Sequence, residues 1–468
     1  MQSLTNQYTL IMNKIFYLLL FTLLTLNFSK AQTPWKTHIP GFGDTIGIAD
    51  IHVVNENVIW AVGLRYGVND SISYFGVGNE TYYAVTADGG ATWKTGTVPM
   101  GPIPFIANIT ATDAGQALVI GLENFGNAKT LKTVDGGTTW QLTDNNWDPV
   151  ASWPDYIHAF SPAVMCVIGD PRNGEFEIFT TFNSGTVWQP VAASNIPDPL
   201  PGEYGYNNCG AAIGNTIWFG TNLGRIYRSK NKGGTWEVFT TPLGASFGNL
   251  AFSDENNGLV TTSYGFAAGA QMYRTSDGGA TWTELTNLPY SGDFLTFGPP
   301  AYIPNEPYIL QGLTPGGNLS GPYETWISPD RGDHWQQIST GEIIGWPTFL
   351  NGSVGWAGDF QQLSRPTQLY EYTGSPLVGL FSPEKLKAEI SLSPNPASDY
   401  VNVKLQVDKR DDFWILLNDA KGHLIRKIEI NGVDTFEQTL NIADLPAGVY
   451  SLTVSGTKGS VSRKLTKI

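Results

Sequence analysis

Short apolar runs, each closed by a polar or glycine-bearing turn, recur from residue 58 to residue 358. Val58-Ile59-Trp60-Ala61-Val62-Gly63 is the first; Ala117 to Gly121, Val164 to Gly169, Thr216 to Gly220, Gly258 to Thr262, Tyr308 to Gly312 and Val354 to Gly358 complete seven. They are too short for helices and rich in β-branched and aromatic residues, so each predicts a buried strand. A second strand follows each run. Six of those second strands lead into a turn that itself repeats as [Ser/Thr]-x-Asp-x-Gly-x-Thr-Trp, cleanest at Thr275 to Trp282. The other copies are Thr86 to Trp93, Thr133 to Trp140, Thr181 to Trp188, Ser229 to Trp236 and Ser328 to Trp335. Asn183 and Asn231 replace the Asp in two of them, Val187 replaces the Thr in one and His334 in another.

The pattern has a mechanical meaning. A short Asp or Asn side chain can accept hydrogen bonds from turn amides two residues on, and the glycine supplies positive φ. The Thr-Trp then opens the next strand, with the indole covering what lies beneath. Asp88, Asp135, Asn183, Asn231, Asp277 and Asp330 are therefore structural positions, spaced by 47, 48, 48, 46 and 53 residues. A period of roughly 40 to 50 residues suits a four-stranded propeller blade. The seventh repeat, Thr367 to Thr373, has no such turn and no Trp-led last strand. Pro34-Trp35-Lys36-Thr37-His38-Ile39-Pro40 parallels the last strand of the first full repeat, so Trp35 to Ile39 is expected to complete the seventh blade and close the ring.

These turns resemble the Asp-box, or bacterial-neuraminidase-repeat, β-propellers of the sialidase, sortilin, xyloglucan hydrolase and photosystem II assembly factor type. The resemblance implies architecture; enzymes and non-enzymes share the box, so it implies no activity. Near the C-terminus, Ser393-Pro394-Asn395-Pro396, Leu445-Pro446-Ala447-Gly448-Val449-Tyr450 and the basic end Arg463-Lys464 resemble the C-terminal sorting domain, type A, of the Bacteroidetes type IX secretion system. That resemblance implies a small immunoglobulin-like β-sandwich read by the export machinery. The expected fold is thus all-β: a seven-bladed propeller over residues 32–374, a connector over 375–387 and the sorting domain over 388–468.

Composition sharpens this picture. The 468 residues hold 53 Gly, 29 Pro and only 15% charged residues, as many short strands and turns require. Lys14, the apolar run Ile15 to Leu26 and Ser29-Lys30-Ala31 read as a signal peptide over 1–31, and no other segment could span a bilayer. Cys166 and Cys209 form no zinc-like cluster and the five His show no ligand spacing, so neither metal nor cofactor is expected; a Cys166–Cys209 disulfide stays open beside two buried thiols. Of 27 basic and 41 acidic residues, 12 and 11 fall from residue 375 on, leaving 15 and 30 before it. An acidic ring disfavours phosphate backbones, which argues against nucleic acid as a partner.

Antiparallel order within a blade puts the boxes on one face and the b–c and d–a connections on the other, where ligands are expected. Two d–a connections, Asn145 to Tyr156 and Ala192 to Asn208, carry Trp147, Trp153, Tyr204 and Tyr206. The b–c loop from Arg65 to Glu80 adds Tyr66, and Arg172, Arg225 and Arg365 lie in or beside b–c connections. Exposed aromatics suit pyranose rings or protein anchors, while arginines offer paired donors to carboxylate or sulfate. These residues are the candidate ligand-binding set.

Sialidase-type members usually carry Arg-Ile-Pro near the first strand; here the nearest triplet is Arg225-Ile226-Tyr227 in a middle blade, and no Tyr-Glu pair is assignable. Three readings follow. The first is a secreted or cell-surface propeller that binds an extracellular protein or glycan. The second is a glycoside hydrolase using carboxylates among Asp155, Glu203 and Asp359. An assembly factor of the photosystem II type shares the single ring, but the export tail argues against that partner.

Overall fold

The computed structural model of the chain describes residues 33–42, 46–66, 78–101, 104–123, 127–143, 153–262, 271–288, 295–296, 299–314, 323–342, 344–359, 366–374, 377, 388–418, 424–456 and 459–468. The expected signal peptide lies outside the described residues. The chain divides into two compact units, Met1–Leu377 and Val378–Ile468. Leu377, expected in a connector, is 1% exposed and donates its amide to the Gly352 carbonyl at 2.7 Å, so it is tied to the first unit.

The first unit is a seven-bladed β-propeller built from seven antiparallel sheets. Blade 1 comprises strands a to d at Ile46–Val53, Ile59–Tyr66, Gly78–Thr86 and Lys94–Thr97. Blade 3 (Pro154–Ala159, Met165–Arg172, Glu175–Thr181, Gln189–Pro190) and blade 4 (Gly205–Ile213, Thr216–Thr221, Arg225–Ser229, Glu237–Thr240) follow the same order. The apolar runs read from the sequence are the b strands. They carry three of the largest fully buried side chains, Trp60, Trp218 and Trp356, each worth about 3–5 kcal/mol if truncated. In blade 6 strand a is split into Leu295–Thr296 and Ala301–Tyr302, with Pro299 and Pro300 between; neither proline has an N–H to give the ladder.

Ring closure is explicit. Trp35–His38 pairs antiparallel with Leu369–Tyr372 as strand d of blade 7, in the register Trp35 to Tyr372 through His38 to Leu369. Lys36 and His38 both reach Glu371, at 3.0 and 2.8 Å. Pairing of the first and last segments leaves no open blade edge at the seam.

All six repeated turns sit between strands c and d. Their hydrogen bonding is richer than the expected contact two residues on. In the first, the Asp88 carboxylate accepts from the Thr92 amide at 2.8 Å and from the Thr92 hydroxyl at 2.6 Å, four residues away. The Thr86 hydroxyl, in turn, accepts from the Gly90 amide at 2.9 Å. Two consecutive left-handed residues, Gly89 and Gly90, bend the loop enough for both bonds. Where Ser184, Lys232 and Arg331 take the first of these positions they adopt φ near 60°, and the following glycine keeps the tighter place. Val187 loses only the hydroxyl bond, since its amide still reaches Asn183 at 2.9 Å.

The second unit is a small β-sandwich. Strand Tyr400–Asn418 breaks register between Gln406 and Asp411. Its first half pairs with Ala388–Ser393 and its second half with Gly448–Gly456. Val401, Val403 and Leu405 from one half and Phe413, Ile415 and Leu417 from the other share one buried core with Leu452, Val454 and Leu465.

Candidate functional site at the seam of blades 3 and 4

Strand a is the innermost strand of each blade, and the strands of blades 1 to 4 meet through polar side chains. Asp50 of blade 1 accepts from the Ile109 amide of blade 2 at 2.8 Å and from the side-chain amide of Asn208 in blade 4 at 3.0 Å. The Asn108 side-chain amide donates to Asp50 at 2.5 Å and to Asn208 at 3.1 Å, while its carbonyl oxygen accepts from the Ile157 amide of blade 3 at 2.9 Å. Contacts between blades 1 and 4 reach across the axis, so this cluster ties four blades together there. Burial pushes the Asp50 carboxyl up to about 6 against the pull of these donors.

Gly205 to Gly210 organises the seam between blades 3 and 4. Pairing with strand b shifts register between Gly205 and Gly210, and Asn208 takes φ 51° to point inward. Bulges of this kind re-aim side chains. Asn207 accepts the Trp153 indole N–H at 2.6 Å, which orients that ring beside Phe105. Tyr206 stacks on buried Phe247 with an interplanar angle of 8° and meets Tyr204 edge-on at 5.9 Å. Tyr204 is 46% exposed, so this aromatic series runs from solvent into the core.

Beneath it lie two carboxyls. Asp155 on strand a and Asp170 on strand b of blade 3 lie against the same glycine, Gly205, and interact electrostatically with one another. The Gly205 amide donates to Asp170 at 2.8 Å, and a Cβ at Gly205 would sit 2.2 Å from an Asp155 oxygen. Asp155 is 1% exposed, and neither of its oxygens meets an N–H or O–H of another residue. Burial first, and the neighbouring Asp170 charge second, push its carboxyl well above the usual range; burial raises Asp170 to about 6.

The sequence-derived candidates separate under this geometry. Trp153, Tyr204, Tyr206 and Asp155 come together at the seam. Glu203 does not serve as an exposed acid: its buried carboxylate accepts from the Thr221 hydroxyl at 2.7 Å, the Leu200 amide at 2.8 Å and the Arg225 guanidinium at 2.7 Å. Arg225 is consequently buried too, so the pair latches the 192–205 loop onto blade 4 and neither is presented to a ligand. Asp359 is 2% exposed between blades 7 and 1, where its carbonyl accepts from Ile48 and its amide donates to Gln368. Arg172 remains exposed at the b–c hairpin of blade 3, 3.7 Å from Glu177. Trp147 and Arg365 lie outside the described residues, as do the side chains of Arg65 and Tyr66.

Asp50, Asn108, Asn208 and Asp170 were not singled out from the sequence. Their signal was a polar residue interrupting an apolar strand, as in Ile48-Ala49-Asp50-Ile51. Apolar exposure is also not confined to the loop face: Val134, Leu142, Phe182 and Val187 are exposed in or beside the turns of blades 2 and 3. Cys166 and Cys209 are free buried thiols, so the open question of a disulfide resolves to two reduced side chains. Among the described residues, no three His, Cys, Asp or Glu gather as metal ligands would, and no helix is long and apolar enough to cross a membrane.

Residues 391–467 match the family model of the secretion system C-terminal sorting domain. The tail is similar to export-sorting domains. Such a tail indicates export to the cell surface or the medium. A Paenibacillus sp. xyloglucanase is 33% identical over 150 residues, which is 30% of this chain and 14% of that protein. Among solved structures, YCF48 bound to D1 peptide aligns with a TM-score of 0.51 at 18% identity, covering 73% of this chain and 96% of that one. YCF48 from Cyanidioschyzon merolae aligns with a TM-score of 0.49 at 15% identity, over 72% and 98%. The YCF48–peptide match supports the propeller fold.

Proposed function

We propose that this chain is an exported propeller, carried by the type IX secretion system through residues 388–468, which binds an extracellular protein or glycan on its loop face. The carrying observation is the half-exposed aromatic series of Tyr204 and Tyr206, with Trp153 oriented by Asn207 on the same bulge. Partly exposed aromatic rings, packed edge-on and flanked by hydrogen-bonding neighbours, suit a sugar ring or a protein anchor. The repeated turns fit the Asp-box family, and in this reading they staple the blades and take no part in binding.

A glycoside hydrolase is the second reading, favoured by the short stretch shared with a xyloglucanase. Against it, Asp155, Glu203 and Asp359 are all buried, whereas a hydrolase needs two carboxyls about 5 to 9.5 Å apart at a bond open to solvent. The YCF48 structure carries a peptide, which makes peptides one ligand class to screen beside glycans.

The test is a glycan and peptide array paired with a hydrolysis screen, using the chain as exported and its Tyr204→Ala and Trp153→Ala variants. Binding lost in both variants, with no turnover of any glycan, is the expected result. Turnover of any glycan by the wild-type chain, with Tyr204→Ala leaving both binding and turnover intact, would establish the hydrolase instead.

A further inference from the structure

The two carboxyls below the aromatic surface pose a problem of charge. Asp155 is buried against Gly205 of blade 4, and its oxygens accept no hydrogen bond from an N–H or O–H donor. Its neighbour Asp170 accepts from the Gly205 amide and donates its own amide to the Trp153 carbonyl at 2.9 Å. Two ionised carboxylates cannot face one another in such an enclosure, because desolvation and repulsion both penalise the second charge. The contact between them closes only when one carboxyl carries a proton and donates it to the other.

We propose that Asp155 and Asp170 form a proton-dependent clamp: one proton shared between them holds the Gly205–Gly210 bulge, and its loss as pH rises loosens the surface made by Trp153, Tyr204 and Tyr206. The elements involved are contiguous. Gly205 bonds Asp170, Asn207 bonds Trp153, and Tyr206 lies between them in the chain. Among the described residues, the charged and titratable groups that act on the pair are each other, the Cys209 thiol from strand a of blade 4, and Asp50, which reaches the same bulge through Asn208.

The sign follows from linkage. In an opened segment both carboxyls return to the ordinary value of about 3.9, whereas in the closed clamp burial raises Asp170 to about 6 and holds the Asp155 proton more tightly still. The protonated pair is therefore favoured fully below about pH 4; Asp170 ionises as pH rises through about 6, and the clamp is lost only when the proton held on Asp155 leaves at higher pH. That the loosened surface is the one that binds rests on the function proposed above. The clamp itself does not, and its test needs no ligand.

Hydrogen exchange of the full chain at pH 5, 6, 7 and 8, with labelling times scaled to the intrinsic rate, reads it directly. Amides of residues 204–210 should lose protection by up to about tenfold per pH unit until the shared proton is gone, as release of one proton requires. Asp155→Asn supplies a permanent amide donor to Asp170 and should flatten that dependence; Asp170→Asn should do the same from the other side. Asp50→Asn should leave the slope at residues 204–207 in place. A wild-type profile that does not change with pH overturns the clamp, even if neither Asn variant at 155 or 170 folds. So does a slope that survives both of those variants, or one that vanishes only in Asp50→Asn.

Discussion

Aspartates at the turns and aspartates on the inner strands are the same residue placed in opposite solvents. At the turns, Asp88 is held down at about 2 by the hydroxyl and amide of Thr92, with Thr86 adding a third donor, and Asp135 is held there by Thr139 in the same way. Asp277 reaches the same value although burial opposes it, through Thr281 and Thr275. On the inner strands Asp50 and Asp170 rise to about 6, because enclosure outweighs the donors they have. Donor count alone does not set the sign: Asp50 accepts from Ile109, Asn108 and Asn208 and still moves up. What differs is water. A turn carboxylate keeps bulk solvent on its open side, so every added donor is a gain, whereas a channel carboxylate has exchanged its hydration for those donors.

That contrast can be broken in order of size. Asn108→Leu removes a donor from Asp50, a partner of Asn208 and the acceptor for the Ile157 amide, and should destabilise the propeller by about 3 kcal/mol. The loss should be greater at pH 8 than at pH 5, because only the ionised Asp50 needs that donor; calorimetry of the full chain at both values checks it. Thr275→Val, which removes the acceptor for Gly279 and the donor to Asp277 at one turn, should cost about 1–2 kcal/mol with little change between those pH values.

The two sets should also shape opposite limbs of the stability profile. The turn carboxylates contribute fully above about pH 4 and lose that contribution as pH falls toward 2. The inner carboxyls contribute fully below about pH 4 and lose it as pH rises through 6. The unfolding midpoint of the propeller should therefore peak near pH 4 to 5. Combined Asp88→Asn and Asp135→Asn should flatten the acid limb, and Asp50→Asn the other. An Asp50→Asn variant that altered the acid limb instead would refute this division. Smallest of all, Tyr204→Ala should change stability by less than about 0.5 kcal/mol, since the ring is half exposed, while ligand binding is lost.

Much of the ring was legible in the chain because each device is local. A buried strand b announces itself by an unbroken apolar run, and a turn by hydroxyl, carboxylate and glycine at fixed offsets. Even the closing strand could be read, because Trp35-Lys36-Thr37 copies the Trp93-Lys94-Thr95 that it imitates in another blade. The site was only half legible. Trp153, Tyr204 and Tyr206 stood out as aromatics in long connections. Glu203 and Arg225 looked equally available, and nothing within either segment revealed that a loop and a strand 22 residues apart would bury them against each other.

Local spacing thus determined the seven repeats, their turns and the segment that joins the ends, since each rests on hydrogen bonds and burial within one blade. Only the assembled ring decided which polar residues are ligands for one another. Asp50 and Asn208 are 158 positions apart and meet at 3.0 Å. Asp155 and Asp170 acquire their shared proton from an enclosure that blade 4 completes. Solvation is a property of everything packed around a group, and no window of sequence contains it.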